Sequence, residues 1–206
     1  MLNIYTPCLC GSGKKFKFCC YEIQKQGGII PATIECCKFP IHECKILKNW
    51  EELGISSIHI SRKFTNDSYL FVSYLVDFLC LGLKDSLVKF GLLKRDLSDI
   101  YSQSEELINI SYQDARSLIL GAIDFAKSID IDPHASWNGI SSSFIEGHLP
   151  YEKKFSFGLE GKHHYISGPN DFALYYVEEI VKKVSKAQGY STVYVSAYLK
   201  KGTHMF

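Results

Sequence analysis

Along positions 57–63, Ile58, Ile60 and Arg62 alternate with His59 and Ser61, a period of two that predicts a half-buried strand. The Thr-Asn-Asp-Ser run at 65–68 predicts a turn and the apolar stretch 69–80 a long returning strand, so the two strands form an antiparallel hairpin. Upstream, Ile-His-Glu-Cys-Lys-Ile-Leu at 41–47 predicts a first strand despite imperfect alternation, with 51–54 as the turn that follows. Past Gly82 the period dissolves. Positions 84–90 predict a short helix or loop, and the polar stretch 98–107 a connection or an exposed helix.

Helical spacing takes over at 111–128, where Ala115, Leu118, Ile119, Ala122, Ile123 and Ala126 share one face, Ser111 and Asp114 supply an N-terminal cap, and Pro133 follows as a stop. Stretch 134–146 has no regular pattern. Segments 154–159 and 162–167, separated by Glu160-Gly161, predict a second hairpin in which Phe155, Phe157 and Leu159 line one side. Ser167-Gly168-Pro169-Asn170-Asp171 predicts a helix start with Asp171 as its cap, the helix ending before Gly189. A tail at 190–199, rich in Tyr and Val, predicts a last strand. Hairpin, helix, hairpin, helix defines an α+β domain, an antiparallel-hairpin sheet with helices packed on one face.

Composition narrows the function classes. A chain of 206 residues has room for one sizeable core beside a small extra lobe, and 46% hydrophobic with 14% aromatic content indicates a folded protein. Its formal charge of +1, from 23 basic and 22 acidic side chains, excludes a global polycation and leaves only local basic patches. The first seven residues hold neither a basic start nor a long apolar run. The longest apolar stretch, 69–83, is broken by Ser73, Asp77 and Gly82 and is too short to cross a bilayer as a helix. The expectation is a soluble cytoplasmic protein with no membrane span. Eight cysteines, two pairs of them adjacent (Cys19-Cys20 and Cys36-Cys37), suit short-range disulfides poorly and point to metal ligands or free thiols.

The strongest chemical signal is Cys8-Leu-Cys-Gly-Ser-Gly-Lys-Lys-Phe-Lys-Phe-Cys-Cys20. Cys8, Cys10, Cys19 and Cys20 supply four soft ligands for one tetrahedral ion. Zinc is the first choice, although an all-thiolate set also accepts iron. Gly11 and Gly13 allow the backbone to bend the first thiol pair onto one ion and leave amides free to donate to sulfur. Lys14, Lys15 and Lys17 offset thiolate charge. Binding such an ion, worth roughly 10 to 16 kcal/mol in zinc-finger peptides, is the folding energy of a lobe this small. The stretch resembles the SEC-C motif, the zinc module at the C-terminus of the bacterial preprotein translocase ATPase and appended to many otherwise unrelated bacterial proteins. Leu9 stands where that family usually has Pro or Arg, at a position that does not ligate, and Cys20 fills the ligand place taken by His or Cys. The resemblance implies Zn²⁺ at the four cysteines. It also implies a docking role, since in the translocase the module docks a chaperone and the ribosome. The resulting division is a zinc-binding module at 1–23, a linker at 24–38 with Gly27-Gly28 and Pro31, and an α+β domain at 39–206.

Cys36, Cys37, His42 and Cys44 form a second set with imaginable ligand spacing; against it, Cys44 alternates with Ile46 in a predicted strand, as a buried thiol would. Positions 40–185, through the words Ile41-His-Glu-Cys44, Val76-Asp-Phe-Leu-Cys-Leu-Gly-Leu-Lys-Asp85, Gly121-Ala-Ile-Asp-Phe-Ala126 and Tyr165-Ile-Ser-Gly-Pro-Asn-Asp171, resemble a family of uncharacterised bacterial proteins that often carry a SEC-C motif. That likeness implies no activity. Two functional readings follow. In the first, Phe16 and Phe18 interleaved with Lys14, Lys15 and Lys17 make an exposed basic-aromatic surface of an adapter, meeting an acidic protein patch or a nucleic-acid phosphate backbone. The competing use of those phenylalanines is to cover the lobe. In the second, the domain is a metal-dependent hydrolase or nuclease around Asp77 and Asp85, with Lys84, Asp171 and His134 or His163. Its competing explanations are a helix cap for Asp171, a strand-end residue for Asp77 and a solvated turn for Lys84-Asp85. No Ser-His-Asp order, phosphate-binding glycine loop or His-Glu-x-x-His helix is present, and no catalytic residue is assigned.

Overall fold

The computed structural model describes residues 4–5, 14–18, 21, 36–64, 68–104, 106–137, 139–166 and 174–188. The alternation around Ile58 becomes β2 (Ile55–Lys63), paired antiparallel with β1 (Ile41–Leu47) on one side and β3 (Tyr69–Asp77) on the other. The expected hairpin is therefore present, with Ile60 opposite Val72 and Ser61 opposite Phe71. With β4 (Gly82–Leu92) and β5 (Leu107–Asn109) the sheet runs β4-β3-β2-β1-β5. Between β1 and β2 the expected turn is a single helical turn, α1 (Trp50–Leu53), closed by Gly54 in the left-handed region.

β4 replaces the helix or loop expected at 84–90. Its core-facing residues, Leu83, Ser86, Val88 and Phe90, sit opposite Val76, Tyr74, Val72 and Leu70, and a register irregularity between Leu83 and Asp85 breaks the period that would have marked a strand in the sequence. The major helix, α3 (Tyr112–Lys127), follows its predicted pattern. The Ser111 hydroxyl accepts from the Asp114 amide at 3.0 Å, and Ala115, Leu118, Ile119, Ala122, Ile123 and Ala126 are buried against the sheet. Gly82 sets how closely the two approach. Its φ is +65°, and a Cβ there would lie 2.7 Å from the Ala122 carbonyl oxygen and 2.9 Å from the Ala126 Cβ.

The helices do not all lie on one face. α2 (Lys94–Ser102) crosses the opposite side of the sheet from α3, setting Leu97 on Tyr69 and Phe71, so both faces of β2 are covered and its alternation is not half-buried as expected. Ser61 is buried there and accepts from the Tyr101 hydroxyl at 3.3 Å. The second predicted hairpin is reduced to one bridge, Leu159 to Lys162, around Glu160 and Gly161. Its flanks do not pair because their amides are used elsewhere: Gly158 donates to the Phe78 carbonyl at 2.8 Å and His164 to the Leu79 carbonyl at 2.9 Å, both at the β3–β4 connection. A short helix, α4 (Gly139–Ser143), interrupts the irregular stretch, and α5 (Leu174–Gln188) packs Ile180 and Val184 on Cys80, Leu81, Ile129 and Tyr165. The predicted helix start at 167–171 and the strand at 190–199 lie outside the described residues.

His59 carries a measurable consequence of the two-sided burial. It is 6% exposed, its ring stacks on Phe71 at 5.6 Å, and neither ring nitrogen has a hydrogen-bond partner among the described residues. Burial lowers its pKa from 6.5 to about 4. In that window the unfolded chain binds the proton and the folded chain does not, so stability is full above pH 6.5 and falls as pH drops towards 4. At about 1.4 kcal/mol per pH unit the loss is about 3 kcal/mol. Urea unfolding of wild type and His59→Leu across this range should show that increment in the wild type alone; identical pH profiles would contradict it.

Candidate functional site

In the N-terminal motif a 3₁₀ turn at Phe16–Phe18 sends the two phenylalanines in opposite directions. Phe16 is 2% exposed, meets Tyr21 edge-on at 5.8 Å, and belongs to the same apolar cluster as Ile58, Val72 and Ala115. Phe18 is 67% and Tyr5 54% exposed. Between them the Lys17 ammonium lies 5.1 Å from the Tyr5 ring centroid and 5.7 Å from that of Phe18. The Lys17 amide donates to the Ile4 carbonyl at 2.7 Å, which fixes this face of the motif. Lys14 and Lys15 are also exposed. The sequence left open whether the phenylalanines are a surface or a cover; one does each. Cys8, Cys10, Cys19 and Cys20 lie outside the described residues. Their donor chemistry, four thiolates in two closely spaced pairs, suits a closed zinc site.

The second cysteine set is dispersed. Cys36 is buried beside Ser143, with its thiol pKa pushed up to about 11 by burial, and Cys44, on the core face of β1, is pushed up to about 12 by the same cause. His42 instead stacks on Tyr69 at 4.5 Å, on the side of α2. Among the described residues no group of three or more His, Cys, Asp or Glu side chains gathers as a metal site.

Nor does the domain assemble the hydrolytic set. Asp77 ends β3 and is buried, with Oδ1 accepting from the amides of Leu79 at 2.8 Å and Cys80 at 2.9 Å. Burial raises its pKa, and those two amides and Lys84 oppose the rise. Asp85, on β4 and not in a turn, does approach His134, its Oδ1 lying 3.5 Å from Nδ1. Ser136 Oγ sits 2.9 Å from the same nitrogen. A relay needs the carboxylate and the hydroxyl on opposite ring nitrogens, so this exposed cluster is not one. His163 is stacked on Phe125 at 3.8 Å, with Nε2 2.9 Å from the Phe125 carbonyl oxygen. Asp171 lies outside the described residues. Within the set, Asp85 approaches His134 and Lys84 lies near enough to Asp77 to oppose its pKa rise, but these two pairs do not share a metal site among the described residues.

Sequence reasoning missed Arg62 as a chemical group, though its place in the alternation marked it as core-facing. Its guanidinium is buried and donates to the carbonyls of Phe144, Cys37 and Phe39 and to the Tyr112 hydroxyl. Tyr112 donates in turn to Glu146, whose carboxylate lies 3.7 Å from Arg116.

Residues 6–22 match the family model of the SEC-C motif. No curated protein and no solved structure matches the chain. The wider likeness of positions 40–185 to an uncharacterised bacterial family gains no support from these comparisons.

The opposite settings of the two phenylalanines predict opposite effects. Phe16→Ala should lower the unfolding free energy by about 3 to 5 kcal/mol, and Phe18→Ala by less than about 0.5 kcal/mol. Equal losses in urea titrations of the metal-loaded protein would show that Phe16 is not a core residue.

Proposed function

We propose that this chain is a zinc-binding interaction protein in which Cys8, Cys10, Cys19 and Cys20 hold one Zn²⁺ and the Tyr5-Lys17-Phe18 face docks a protein partner. The match of residues 6–22 to the SEC-C motif supports the metal. The observation that carries the docking reading is the exposure of Phe18 and Tyr5 around a lysine on a lobe whose other aromatics, Phe16 and Tyr21, pack with the core. Flat aromatic surface with a cation at its centre suits an acidic protein patch, since rings supply contact area and the ammonium supplies direction. With all four ligands from protein the ion is structural: it holds the bend between the two thiol pairs and presents the face rigidly. By resemblance to the translocase module, the partner class is a chaperone or a ribosomal protein. A reducing cytoplasm would keep the thiols available to the ion. No helix among the described residues is long and apolar enough to cross a membrane.

Metal analysis of protein purified without added zinc should return about one ion per chain, and Cys10→Ser with Cys19→Ser should abolish it. The double variant Lys17→Ala, Phe18→Ser should keep the ion and lose the partner recovered by crosslinking to the wild type. Unchanged recovery from that zinc-loaded variant would move the docking face elsewhere; absence of metal from the wild type would remove the zinc assignment itself.

A further inference from the structure

The strand register collects four cations at one end of the sheet. Lys63 closes β2 opposite Tyr69, Tyr69 pairs with Leu92 at the end of β4, and Lys94 and Arg95 follow as the first residues of α2. Lys89 stands opposite Phe71, on the face of the sheet that α2 covers. All four side chains are exposed. Among the described residues the acids nearby are few; Asp67, in sequence between Lys63 and Tyr69, lies outside them. Asp96 accepts from the Leu93 amide at 2.8 Å and lies 3.6 Å from Arg95; Asp99 follows further along α2; Glu43 on β1 lies 3.8 Å from Lys45. Lys63, Lys89 and Lys94 enter no ion pair among the described residues. The other end of the sheet carries Glu51, Glu52, Asp85 and Glu106 against Lys84 and Lys48, with Glu106 and Lys48 paired at 2.9 Å. A formal charge of +1 therefore conceals a polarised molecule.

Helix formation gives no reason for two of the cations, while Lys89, on the edge strand β4, also keeps that edge from pairing with another chain. A helix N-terminus favours negative charge, and Lys94 and Arg95 sit in the first turn of α2, against the dipole. Lys63 and Lys89 lie two strands and two register positions apart, about 12 Å, on the same face of the sheet. We propose that this end of the sheet binds the phosphate backbone of nucleic acid, without base recognition. A protein partner would need an apolar centre to anchor it. Among the described residues the large apolar side chain exposed on this face is Leu87, two positions from Lys89 along β4, and one leucine at the margin is not such a centre. Phosphate contacts require only placed cations. This surface shares no residue with the Tyr5-Lys17-Phe18 face and does not depend on the zinc assignment.

The test is fluorescence anisotropy with a fluorescein-labelled single-stranded RNA and a duplex DNA, each of about 20 nucleotides per strand, in low and moderate salt. Full-length wild type should bind at low salt with Kd in the micromolar range and weaken steeply as salt rises. The quadruple variant Lys63→Ala, Lys89→Ala, Lys94→Ala, Arg95→Ala should bind at least about tenfold more weakly. Its salt dependence on RNA should be shallower by about 0.7 in log–log slope for each phosphate that the variant leaves without a cation. All four residues are exposed, so its circular dichroism and urea midpoint should match the wild type. Lys182→Ala with Lys186→Ala, on α5, should bind like wild type. The proposal fails if the wild type does not bind either probe at low salt, or if the quadruple variant binds as tightly. It fails equally if polyglutamate binds the same four residues as tightly as RNA, which would make the surface a site for acidic protein.

Discussion

Among the described residues no carboxylate pairs with Arg62. Alternation along β2 brings its guanidinium to the core face after Ile58 and Ile60, where a charge can stay only if every donor is satisfied. Carbonyl oxygens do most of this. Phe144 accepts from Nε at 3.1 Å and Nη2 at 2.6 Å, Phe39 and Cys37 from Nη1 at 2.7 and 3.2 Å, and the Tyr112 hydroxyl from Nη2 at 2.7 Å. Those acceptors belong to the segment entering β1, to the first residue of α3 and to the loop after α4. A single planar cation thereby fixes three stretches of chain that share no secondary structure. The negative charge closing the network is one step removed, through Tyr112 to Glu146, which also faces Arg116. A lysine could not substitute, because one ammonium cannot reach carbonyls on several sides at once.

Fixing the entry to β1 also fixes what precedes it. Cys36 is buried immediately before the carbonyls that Arg62 holds, and Phe16, from the N-terminal motif, joins the same cluster. The motif is therefore packed onto the domain as well as linked to it. Phe16 lies in sequence between the two thiol pairs, so whatever closes them also sets where that ring sits. Metal-binding energy that would otherwise fold only a small lobe can then contribute to the stability of the whole chain.

What the sequence made legible follows from periods that stay intact. Ile58, Ile60 and Arg62 keep a period of two, and Ala115 to Ala126 a helical one; both elements are where those periods place them. β4 was illegible because its irregularity shifts the pattern midway, and the hairpin at 154–167 because side-chain alternation says nothing about which backbone groups are already engaged. α2 hid the other half of the answer. His59 and Ser61 look solvent-facing until a helix from far along the chain covers them. The thiol motif is legible for a different reason, since ligand spacing is local. The words of the wider resemblance prove to be packing words: Gly82 presses on Ala122 and Ala126, and Tyr165 on Cys80 and Leu81.

Asp77 shows why the domain's chemistry belongs on its surface. A buried carboxylate with a raised pKa is the usual mark of a catalytic acid. Here burial accounts for the rise, while two amides of the turn that follows hold the carboxylate through Oδ1. Moving that carboxylate towards a substrate would release both amides and open the β3–β4 connection, on which Gly158 and His164 also hang. Its raised pKa is a consequence of burial, which the turn's amides oppose. The exposed chemistry of distinct character lies instead in the aromatic pair around Lys17 and in the cations at the end of the sheet, surfaces suited to contact with other macromolecules.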